Sequence, residues 1–145
     1  MAITWYVIAN RAGARILEAR PDRPLRLVEV IEHESGRLKN RELDTDRAGS
    51  GYDSARAGVR AKTKSESAHE HNAADFARDL AGGLEAARND RSFDYLVLVA
   101  EPHLLGLIRR ALDVATASRV GFSINRDLTH VPLHALASQL QRLAG

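Results

Sequence analysis

Arg47, Arg56, Arg60, Lys62 and Lys64 are the first residues with chemistry to offer. They fall in RAGSGYDSARAGVRAKTKSES, residues 47–67, which sets these five cations against two acids, Asp53 and Glu66. Cations spaced among small side chains suit phosphate backbones, which ask for charge more than for shape. They suit base edges poorly. Tyr52 is the one aromatic side chain of the stretch on which a base could stack. The same composition also describes a solvated loop with no ligand.

Carboxylates and histidines are the next candidates. Metal-assisted phosphodiester hydrolysis needs several carboxylates converging on Mg²⁺ ions that activate water. The apolar core of the first strand segment, Ile3 to Ile8, holds no acid, and neither does Tyr95 to Ala100, although Asp94 and Glu101 flank the latter. Glu70, Asp75 and Asp79 would supply only one side of such a site and read better as a solvated acidic helix face. No catalytic residue is assigned, and a hydrolase or nuclease stays an alternative reading.

His69-Glu70-His71 lacks the spacing that stacks two imidazoles one helical turn apart. On a helix, positions 69 and 71 diverge by about 200°. In extended chain they share a face, so His71 is kept as a candidate. His130 and His134 are four apart with Pro132 between them, but two imidazoles make an incomplete site. No metal and no cofactor is expected. There is no Gly-x-Ser-x-Gly elbow, and Gly49-Ser50-Gly51 does not follow a strand as a phosphate loop would. Asp127, in Asp127-Leu128-Thr129, has two readings: it orients a group at a cleft near the fifth strand's end, or it helps cap the next helix.

These residues must be carried by a small frame. The chain has 145 residues, no cysteine, a formal net charge of +2 and a sequence pI of about 9.3. One domain over residues 1–145 suits that length. The lack of cysteine rules out disulfides and thiolate sites. The start, MAITWYVIANRAG, lacks the layout of a secretory signal. No run reaches the ~20 apolar residues of a membrane-spanning helix. A cytoplasmic location with no membrane partner is therefore the expectation.

Hydrophobic patterning predicts the elements. Ile3–Asn10, Ala14–Ala19 and Leu25–His33 read as strands separated by turn residues. The third alternates, placing Leu25, Leu27, Glu29 and Ile31 on one face and Arg26, Val28, Val30 and Glu32 on the other. Ala73, Phe76, Ala77, Leu80, Leu84 and Ala87 mark an amphipathic helix from about Glu70 to Arg88. Gly82-Gly83 inside it suggests close packing on the sheet or a local irregularity. Tyr95–Ala100 reads as a strand covered on both faces. Pro102 opens a second helix whose stripe runs from Leu104 to Ala115. Arg119–Ile124 is a fifth strand, and Thr129 can cap a last helix.

The expected architecture is α/β: a three-strand antiparallel meander, then α-β-α-β-α, forming a five-stranded mixed sheet. This order resembles the ribonuclease H-like topology. Ser35 to Asn72 makes a connection far longer than the usual 2–6 residues. Over about residues 35–70 it is expected to be a flexible basic insert.

TWYVIANRAGARILE, HESGRLKNRELDTDRAG, HNAADFARDLAGGLEAA, YLVLVAEPHLLGLIRRAL and INRDLTH together resemble the bacterial host attachment protein family over nearly the whole chain. Asp46-Arg47-Ala48-Gly49, Phe76-Ala77, the strand end Leu98 to Pro102 with Glu101, and Asp127-Leu128-Thr129 carry the likeness. That resemblance implies a part in attachment to host cells, with a protein partner. The family is also distantly similar to the middle domain of archaeal and eukaryotic peptide-chain release factors. There a long loop after the third strand carries Gly-Gly-Gln to the ribosome. The insert occupies the corresponding place but has no Gly-Gly-Gln. The reading that follows is a non-catalytic module that binds RNA, including ribosomal RNA, through its basic insert.

Overall fold

The computed structural model describes residues 2–33 and 54–144, with side chains described over 2–33 and 72–143. Three strands come first: β1 (Thr4–Asn10), β2 (Gly13–Arg20) and β3 (Arg23–Glu32). Then come α1 (Ser54–Asn89), β4 (Tyr95–Val99), α2 (Pro102–Ala111), the short α3 (Val114–Ala117), β5 (Val120–Ile124) and α4 (Leu133–Ala144). The sheet order is β3-β2-β1-β4-β5. β1 and β3 run antiparallel to β2, whereas β4 is parallel to both β1 and β5. The chain is thus an α/β protein with a five-stranded mixed sheet.

The central strands of the sheet are buried on both faces, whereas most of β3 is exposed. Trp5, Val7 and Ala9 of β1 join Leu96, Leu98 and Ala100 beneath α1 and α2. The helices contribute Phe76, Leu80 and Leu84 from α1 and Leu104 and Ile108 from α2 to the same layer. Ile8, Leu17, Val97 and Val99 face the other way, against Ile124, Leu136 and Leu140. The unbroken apolar run of β4 is therefore a strand packed on both sides. Trp5 and Phe93 rings meet at 5.2 Å where the amino end of the sheet closes.

The structure departs from the sequence expectations at four places. β3 does not alternate regularly: Val28 and Ile31 both pack on the α1 layer, and Leu25 on the other. The cause is a register shift between Ile16 and Leu17, where Glu29 pairs Ile16 and Leu27 pairs Leu17, leaving Val28 as the extra residue. The second helix stops at Leu112, and Asp113 starts α3 by accepting from Thr116 N at 2.7 Å. Its short polar side chain supplies a new N-cap within the apolar stripe. The last helix begins at Leu133, where Pro132 O accepts from Leu136 N at 3.1 Å. Thr129 therefore is not its cap.

The fourth departure is the largest. α1 begins at Ser54, not near Glu70, and has 36 residues. Residues 54–70 of the expected insert are helical backbone. Apolar spacing detects only the part of a helix that packs, and this part holds Ala, Arg, Lys and Glu, which favour helix without any apolar stripe. Gly82 and Gly83 are exposed, and a Cβ on either would meet nothing within 4 Å. They are not sites of close packing.

Candidate functional site

The chain leaves β1 for β2 on one side, whereas it leaves β4 by a crossover to β5 on the other. The carboxyl ends of β1 and β4 thus flank a topological switch point. In open α/β sheets ligands gather at such a crevice, because diverging connections leave it uncovered. Asn10 ends β1 there, and Glu101 follows β4.

A cleft of about 230 Å³ lies at this edge, beside the β1–β2 turn, lined by residues that include Asn10, Arg15, Val30, Glu32 and Thr129. Its walls are tied by polar contacts. Asn10 Oδ1 accepts from Ala12 N at 2.8 Å, and its Nδ2 donates to Thr129 Oγ1 at 2.9 Å. Arg15 donates through Nη2 to Leu128 O and to Val131 O, both at 2.8 Å. One arginine of β2 thus pins the loop that joins β5 to α4. Gly13 lets β2 and β3 meet beneath the cleft, because a Cβ there would stand 2.2 Å from Ile31 O.

The chain leaves β3 beside this cleft. His33, which follows β3, donates its backbone N–H to Ala12 O at 2.9 Å. Its ring lies 5.0 Å from that of Phe76 in α1. Asn72, one turn before Phe76, is buried. From Ser54 to His71 the helix continues for 18 residues, about 27 Å at 1.5 Å per residue. Positions 56, 60 and 64 recur every four residues and form one row along it, with Lys62 off that row.

Arg47, Asp46 and Tyr52 lie outside the described residues. Positions 69 and 71 are both helical, so His69 and His71 do not share a face. Glu101 is the N-cap of α2, its carboxylate accepting from Leu104 N at 2.8 Å and His103 N at 3.2 Å. Asp127 accepts from Thr129 N at 2.9 Å and from the Thr129 hydroxyl, so it shapes the loop at the cleft's rim. Asp94 takes the backbone N–H of Ile3 at 2.7 Å, at the opposite end of β4 from Glu101. Asp75 pairs with Arg78 on the surface of α1. Among the described residues no three His, Asp or Glu side chains gather in a way that could hold a metal ion.

Sequence reasoning missed Asn10 and Arg15. The signal was faint: one arginine inside the strand segment ARILEA, and one asparagine before a Gly-containing turn. Neither spacing nor motif distinguishes such residues from ordinary turn and surface positions.

No curated protein matches the chain. The family model described as "protein required for attachment to host cells" matches residues 5–140. That span runs from β1 into α4 and so takes in the sheet, the cleft and the whole basic helix. The match covers nearly the full length and every element that builds the carboxyl edge, and the chain belongs to this family of proteins required for attachment to host cells.

Proposed function

We propose that the chain is a non-catalytic binding module whose basic helical segment docks on RNA. The observation that carries this reading is a continuous helix on which positions 56, 60 and 64, held by Arg56, Arg60 and Lys64, fall in one row. A helix presents its four-residue neighbours together, so three cations meet one anionic strand at once. Between residues 54 and 71 the four cations exceed the two acids, Glu66 and Glu70, by two. Two further points support the reading. The strand order resembles the ribonuclease H-like arrangement, and the long connection follows the third strand, as in the release-factor middle domain. The missing Gly-Gly-Gln argues for binding without peptidyl-tRNA hydrolysis.

Filter retention of a labelled single-stranded RNA at several salt concentrations tests it. Replacing Arg56, Arg60, Lys62 and Lys64 with Ala should weaken binding for any RNA sequence. It should also flatten the salt dependence by about 2 to 3 in log–log slope, at roughly 0.7 for each phosphate no longer neutralised. Affinity and slope that match the parent protein would remove the RNA reading.

The family description supports a second reading, a protein-interaction role in attachment. It predicts a protein partner recovered by pull-down at a yield insensitive to salt. Normal adhesion of cells lacking the protein counts against it.

A further inference from the structure

We propose that the cleft at the β1–β2 turn is a site for the carboxylate of a small organic acid, with Arg15 as its anchor. Arg15 lines this cleft, and its guanidinium is held in place by the carbonyls of Leu128 and Val131. Carbonyl dipoles orient a cation without neutralising it. Among the described residues no carboxylate lies within ion-pair distance of Arg15. Its Nε is also buried with no acceptor. A half-buried guanidinium with an unmatched charge is costly, and an anion in the cleft beside it relieves that charge. Arginine's planar fork favours planar carboxylates.

Size and charge narrow the ligand. A cleft of about 230 Å³ has room for roughly seven waters at about 30 Å³ each. That admits a small acid and is below the ~300–1,000 Å³ of sites for larger ligands. Glu32 also lines the cleft, so a monoanion is better tolerated than a dianion. Asn10 and Thr129 fix the rim, and Val30, 56 % exposed, offers an apolar wall.

Acetate and inorganic phosphate, each titrated at constant ionic strength against a chloride control, are the probes. Amide resonances of the ¹⁵N-labelled full chain give the readout. Acetate should shift the amides of Ala12, Gly13 and Val30 saturably. Val30→Asp adds a carboxylate at an exposed position and should weaken acetate binding about fivefold or more, with Val30→Lys strengthening it comparably. The quadruple alanine variant of the basic helix should titrate as the parent does, which separates this site from the RNA reading. Absence of saturable shifts with acetate overturns the proposal. So does a Val30→Asp variant that binds acetate unchanged, or loss of acetate binding in the quadruple variant. Tighter binding of phosphate at the same amides overturns the assignment to carboxylates.

Discussion

Gly13→Ala should be far more damaging than its size suggests. The new Cβ would stand 2.2 Å from the Ile31 carbonyl oxygen, 3.3 Å from Ile31 C and 3.4 Å from Glu32 Cα. All three are backbone atoms, so no rotamer change relieves the overlap. Relief requires β3 to retreat from β2 by about 1 Å, which loosens the pairing of Gly13 with Glu32 and Ala14 with Ile31. Overpacking of this kind costs about 1–3 kcal/mol. Weakened ladder hydrogen bonds add about 0.5–1.5 kcal/mol each. A total of about 3 kcal/mol corresponds to a fall in Tm of about 6–12 °C for a chain of this size. Gly82→Ala is the matched control. Its Cβ meets nothing within 4 Å on an exposed stretch of α1, so the gain in helix propensity should stabilise by up to about 1 kcal/mol. Urea unfolding followed by circular dichroism measures both. A Gly13→Ala protein as stable as its parent would refute the close approach of β2 and β3, and with it the geometry of the cleft.

Two further outcomes rest on polar contacts between elements. Thr116 is fully buried, and its hydroxyl accepts from Arg88 Nε at 3.0 Å, joining α3 to α1. Thr116→Val keeps the shape and leaves that donor unpaired, so unfolding free energy should fall by about 1–3 kcal/mol; a double-mutant cycle with Arg88→Met should show strong coupling, and additivity would refute the contact. Glu18 gives a pH dependence. Burial alone pushes its carboxyl up, but hydrogen bonds from Arg20 at 3.0 Å and Arg26 at 3.2 Å, with their charges, outweigh this and hold it below the ordinary value of 4.5. A carboxyl lowered in the folded state stabilises above its unfolded pKa and loses that contribution as pH falls through the folded value. The stability gap between the parent and Glu18→Gln should therefore be full at neutral pH and close below about pH 4.5; a gap independent of pH would contradict the ion pairs.

The order and type of the elements were legible in the chain itself. The β-branched run Ile3–Asn10, the apolar run Tyr95–Ala100 and the stripe Ala73 to Ala87 each carry their own period. Burying a strand or a helix face imposes that period locally. The mixed sheet follows from short turns among the first three strands and helical crossovers later. Helix ends escaped the reading where no apolar face exists, as from Ser54 to His71, and where a cap interrupts a stripe, as at Asp113. The cleft was decided by tertiary structure alone. Arg15 meets Leu128 and Val131 across 113 and 116 positions, and Asn10 meets Thr129 across 119. No local pattern encodes such meetings, because they exist only once β1 lies between β2 and β4 and α4 folds back over the sheet.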